Sequence, residues 1–180
     1  MPVSRALAVV VAVAGCAVLL AGCAAEPAVV LGAGSSGGHT TICIGDFSQP
    51  MTEGEPFELS EGTQEVTLIR ADLVGAEGVR IIEESAARAV LLADGTHLSV
   101  GTMPTNEGDE SWDARVPLHG TVVRNDGGET WSIALALERT ADTPGGFTAV
   151  DLTYEVNGQQ RVVRGTQSLK FPATGVACGE

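Results

Sequence analysis

The oxygen-bearing side chains of this chain are densest between residues 106 and 113, where Asn106, Glu107, Asp109, Glu110 and Asp113 surround Trp112. Carboxylates and an amide in such a cluster suit a hard cation such as calcium. The spacing departs from the helix-loop-helix calcium pattern, which needs a glycine at mid-loop and a closing glutamate, so a solvated acidic loop is the competing reading. Trp112 would then either stand at the mouth of a ligand site or pack into the core. His39, His97 and His119 are scattered, and a metal site would require the fold to gather the last two. Met51 and Met103 are the corresponding soft-metal candidates and are far apart in sequence. Ser35 and Ser36 lie outside any G-x-S-x-G elbow, and no pair of cysteines has C-x-x-C spacing. Catalytic residues, resident metal and cofactor are therefore all expected to be none.

The elements that must position these groups read as strands. Trp131, Ile133, Leu135 and Leu137 alternate with Ser132, Ala134 and Ala136, which predicts a strand with one buried face. Val150, Leu152, Tyr154 and Val156 repeat the pattern, and Asn157-Gly158 supplies a two-residue type I′ turn. That turn sets the register of the returning strand: Val156 faces Gln159, Leu152 faces Val163, Thr153 faces Val162, and Asp151 meets Arg164 as a charge pair. Runs over 42–46, 65–73, 79–83, 89–92, 97–101 and 116–124 complete about nine strands. Turn signals lie between them at Gly54-Glu55-Pro56, Glu61-Gly62, Gly75 to Gly78, Asp94-Gly95, Asn125 to Gly128 and Pro144 to Gly146. The segment from Glu83 to Ala93 holds strong helix formers. A strand from Val79 to Leu92, bent near Ser85-Ala86 and returning through Asp94-Gly95, is preferred because it uses that turn directly. The expected fold class is all-β, an antiparallel immunoglobulin-like β-sandwich of about eight or nine strands.

The first residues carry an address. Arg5 precedes an uncharged run from Ala6 to Leu20, and small residues follow at Ala21 and Gly22. Leu20-Ala21-Gly22-Cys23 resembles a bacterial lipobox. The resemblance implies a lipoprotein signal peptide over 1–22, removed so that Cys23 becomes the first residue and carries a diacylglycerol group and a further acyl chain such as palmitate. An ordinary secretory signal and a membrane-spanning anchor are the alternatives. The run stops at a small-residue site, where a spanning helix needs about 20 apolar residues with polar flanks. Cys16, inside the run, reads as a discarded residue. Residues 23–40 read as a lipidated flexible tether with a span of roughly 20 to 25 Å, in which Val29 to Leu31 either dock on the domain or meet lipid. Residues 41–180 form the single expected domain. In an exported protein the remaining thiols, Cys43 and Cys178, are expected to pair.

Composition narrows the function further. The chain of 180 residues has a formal net charge of −13, and loss of Arg5 would make it more negative. Such a surface repels nucleic acid and anionic lipid alike. Lys170 is the one lysine, and the Ala, Gly and Val bias resembles that of high-GC bacteria. The alternating strand from Trp131 to Leu137, the hairpin from Tyr154 to Gly158 and the late Cys178 resemble small actinobacterial lipoproteins with a β-rich extracytoplasmic domain. That resemblance implies no activity. The expectation is a non-enzymatic binding or interaction module of the cell envelope, lipid-anchored on the extracytoplasmic face of the cell membrane, whose partner is an unknown envelope protein or glycan. A lipoprotein binding a small ligand or cation through Asn106 to Asp113 is the alternative.

Overall fold

A computed structural model describes residues 26–32, 38–45, 48–91, 97–105, 110–126 and 129–179. The chain runs through β1 (Val29–Leu31), β2 (Thr40–Cys43), β3 (Met51–Leu59), β4 (Glu65–Val74), β5 (Val79–Arg88), β6 (Val90–Leu91), β7 (His97–Leu98) and β8 (Met103–Pro104). The single-turn helix α1 (Glu110–Asp113) follows, then β9 (Val116–Pro117), β10 (Val122–Arg124), β11 (Trp131–Arg139), β12 (Gly145–Phe147), β13 (Ala149–Val156), β14 (Gln159–Arg164) and β15 (Gln167–Phe171).

Two antiparallel sheets face each other, in strand order β1-β3-β11-β5-β9 and β10-β4-β13-β14, while β12-β15-β2 forms a smaller third sheet. This is the antiparallel β-sandwich that the alternation predicts, with fifteen strands among the described residues where about nine are expected, because several are only two or three residues long. The core between the sheets is built from Val29, Phe57, Ile133, Leu135 and Leu137 on one side and Leu68, Leu152 and Tyr154 on the other. The predicted hairpin register is the observed one, including Asp151 opposite Arg164. Asn157 and Gly158 both have positive φ, as a type I′ turn requires.

Several expectations are corrected by packing. Gly54-Glu55-Pro56 is no turn; it lies inside β3, paired with β11 just beyond the reach of β1. Pro56 is tolerated because its backbone faces past the end of β1, where its carbonyl accepts from Gly32 N–H at 2.8 Å. The run over 116–124 is two strands, because the chain crosses from one sheet to the other through Leu118, which is fully buried. The stretch from Val79 is indeed strand, but its break falls at Ala89, and its bulge is at Ile82 rather than near Ser85. Asp94-Gly95 lies outside the described residues. The stretch 23–40, expected to be a tether, contains β1, which pairs with β3 and buries Val29 and Leu31. Ala28 N–H donates to the Tyr154 hydroxyl at 3.1 Å, and Ser60 N–H donates to the Ala28 carbonyl. Of the two fates open to Val29 to Leu31, docking is the one adopted.

Nor does β11 have a single buried face. Its second face, with Ala87 of β5, is covered by the segment carrying Val100 and Trp112, which makes a small core outside the main one. Gly54 permits this close approach: a Cβ there would sit 2.1 Å from the Val100 carbonyl oxygen. Gly54→Ala is accordingly expected to lift the covering segment and cost about 1–3 kcal/mol in denaturant unfolding. Its tryptophan emission should shift to the red as Trp112 gains water.

Candidate functional site

One flank of the sandwich is left open where the chain passes from β4 to β5 and so from one sheet to the other. From Arg70 to Val74, β4 pairs with β13 on one side and, among the described residues, with no strand on the other. From Arg80 to Glu83, β5 pairs, among the described residues, with β11 alone, because β9 reaches only Ser85 and Ala86. Each strand carries a bulge at the opening. The register of β4 skips Ile69 and that of β5 skips Ile82. A bulge bends its strand and re-aims the extra side chain, and both isoleucines line a groove of about 360 Å³ between the strands. Ile81, Pro117 and Leu118 complete its apolar part, and His119 lies beside them. Ile82 is 47 % exposed, a large aliphatic group left in water.

Glu84 sets the electrostatics of the groove. Its Oε2 accepts the Ala71 N–H at 2.8 Å, so a side chain stands where the missing neighbour of β4 would bond. The other charges are compensated: Arg70 pairs with Asp72 at 3.2 Å, and Arg115 pairs with Glu83 at 2.7 Å. Arg115 also holds the Glu83 carboxyl below its usual range, chiefly by hydrogen bonding. The His119 ring approaches the Ile69 carbonyl at 3.1 Å through Nδ1, which fixes the loop between β9 and β10 against the bulge.

A second unusual feature lies inside the sandwich. Glu53 and Glu55 alternate with Met51 and Phe57 on the core face of β3, and both are almost wholly buried. Burial pushes each carboxyl up to about 7, and for Glu53 the neighbouring Glu55 adds to the effect. The Thr102 hydroxyl donates to Glu53 at 2.6 Å, and the Gln167 side-chain amide donates to its other oxygen. Thr166 N–H donates to Glu55 Oε1 at 2.8 Å, while Glu55 Oε2 has no hydrogen-bond partner among the described residues. Gly165 admits the Glu55 carboxylate, since a Cβ there would lie 2.2 Å from its oxygens. The pair thus joins β3 to the approach to β15 and to the segment covering the outer face.

The residues singled out from sequence are dispersed. Leu20, Ala21, Gly22 and Cys23, with Asn106, Glu107 and Asp109, lie outside the described residues. Glu110 and Asp113 are exposed on α1. Trp112 is turned inward, with the Arg115 guanidinium 4.0 Å above its ring, so core packing is the reading it adopts. His39 bonds Ser168 at 3.0 Å, His97 lies in β7, and His119 lies at the groove. Among the described residues no group of three or more metal-ligating side chains is assembled, and no helix is long and apolar enough to cross a membrane. Cys43 and Cys178 are joined in a disulfide, as expected. Ile69, Ile82 and Glu84 carry no sequence signal of this role, because a bulge leaves no local mark. Glu53 and Glu55 do carry one, two acids at the same period-two positions as Met51 and Phe57.

No known protein family matches the chain, and no curated protein matches it. Among solved structures it is similar to the ASH / PapD-like domain of human CEP192 (PapD-like domain 7), at 11 % identity over 96 % of both chains, with a TM-score of 0.32. A likeness that slight places no functional residue.

Proposed function

We propose that this protein is a lipid-anchored module on the extracytoplasmic face of the cell membrane, that it binds another component of the envelope, and that it has no catalytic role. The observation that carries this reading is the Cys43–Cys178 bridge. Disulfides persist in oxidising compartments, and these are the two thiols left over when Cys23 is assigned to lipid. The apolar run before Cys23 supplies export, and Leu20-Ala21-Gly22-Cys23 supplies the processing site. Two acyl chains give stable attachment where one holds only marginally, which a domain of net charge −13 needs, since it gains nothing from anionic headgroups. Binding rather than catalysis is supported by the open flank, which offers unpaired backbone and aliphatic surface.

Fractionation of bacteria expressing the chain tests the anchor. The native protein is expected in the membrane fraction with its N-terminal peptide at Cys23 carrying fatty acyl mass. Cys23→Ser should lose that mass and either leave the membrane or remain unprocessed. A Cys23→Ser chain that keeps full membrane association with an intact first residue would instead show a spanning anchor.

A further inference from the structure

We infer that the open flank takes up an extended peptide segment of a partner protein, added as a strand along Arg80 to Glu83 of β5. One aliphatic side chain of that segment lies between Ile69 and Ile82, and one Lys or Arg lies beside Glu84. This deepens the interaction-module reading and rests on it.

Three observations converge on the occupant. First, among the described residues β5 from Arg80 to Glu83 has a strand neighbour on one side only. An exposed edge of this kind pairs with any extended backbone unless it is covered, twisted away by a bulge or guarded by charge, and the bulge at Ile82 turns its extra side chain into the groove. The guard is weak here, because the Arg80 guanidinium is held by Glu138 of the adjoining β11. Second, the two bulges turn Ile69 and Ile82 into the same groove, beside fully buried Leu118. In a strand side chains alternate between faces, so one aliphatic residue of an added strand enters the groove while its neighbours stay outside.

Third, Glu84 is the one carboxylate lining the groove whose described contacts include no cation, and it stands in a chain of net charge −13. An incoming Lys or Arg supplies the missing counter-charge and is drawn by the field of the whole molecule. A second copy of this chain fits less well, because it brings the same negative charge to the contact.

The test is selection of a random octapeptide display library on the full chain in detergent, against Ile82→Lys as the counter-target. Ile82 is half exposed, so the variant opens no cavity, and an unchanged melting curve checks its fold. The expected peptides alternate aliphatic and polar residues, contain Lys or Arg, and slow amide exchange at Arg80 to Glu83. Their affinity should fall about tenfold or more on Ile82→Lys. Glu84→Gln, which keeps an acceptor for the Ala71 N–H, should weaken them and erase the preference for Lys or Arg over Glu. The proposal is overturned if no enriched peptide depends on Ile82, if acidic peptides are enriched, or if protection maps to the opposite edge at β14. It is also overturned if sedimentation of the full chain shows a dimer that Ile82→Lys dissociates. Each of these outcomes is independent of the Cys23→Ser fractionation, so loss of the peptide site and loss of the anchored-module reading are separately visible.

Discussion

Replacing Cys43 and Cys178 together with serine should lower the unfolding free energy by about 5 kcal/mol, the chain-entropy value for a closed loop of this length. The bridge joins positions 135 residues apart, so it encloses nearly the whole domain. Its local role is as large. The parallel neighbour of β15 is β2, whose residues are exposed or only partly buried. Without the bridge, four residues of parallel pairing and the Ser168 hydroxyl, which meets Thr41 and His39, hold β2 at the edge of a small sheet, and such pairing is slightly weaker per residue than antiparallel. Hydrogen exchange should therefore quicken first at Thr40 to Ile44, before the main sheets respond. The check is denaturant unfolding of the double variant beside the oxidised parent. Stabilities within about 1 kcal/mol of each other would mean that β2 is held without the bridge.

Stability should also depend on pH in a direction unusual for an acidic protein. Glu53 and Glu55 titrate near 7 in the folded chain against an ordinary 4.5. A raised carboxyl binds its proton more tightly when folded, so its stabilising contribution is complete below 4.5 and lost as pH rises through about 7. The loss is about 3 kcal/mol per carboxyl on that shift, as an order of magnitude. Glutamine at either position imitates the protonated form. Glu55→Gln should therefore match the parent at pH 4.5 and exceed it by about 2–3 kcal/mol at pH 8. Parallel pH profiles for variant and parent would show that the buried pair does not titrate in this window.

Local rules made part of this fold legible. Asn157-Gly158 dictates its turn, and alternation on both sides dictates the register, so the β13–β14 pairing follows from a dozen residues without reference to the rest. What failed depends on contacts far away in sequence. Gly54 and Pro56 look like turn residues until Val100 is seen resting on one and β1 ending beside the other. Ala134 and Ala136 look like an outer face until Trp112 and Val100 cover them. The groove is the least legible feature, because it exists only where the bulges of β4 and β5 face each other across the gap between sheets.

If Cys23 carries lipid, the docking of β1 governs where the domain would stand. Its hold on the chain begins at Pro27 and Ala28, where Ser60 and Tyr154 bond the backbone. Only Ala24, Ala25 and Glu26 separate that grip from Cys23. Fully stretched, such a leash reaches less than about 20 Å. A domain lipidated at Cys23 would thus stand with the Ser60 to Gln64 turn and the Asn157-Gly158 turn against the headgroups, leaving little room to tumble. Its standoff would be fixed by the fold, and the groove along β4 and β5 would open sideways, toward neighbours that share the same membrane.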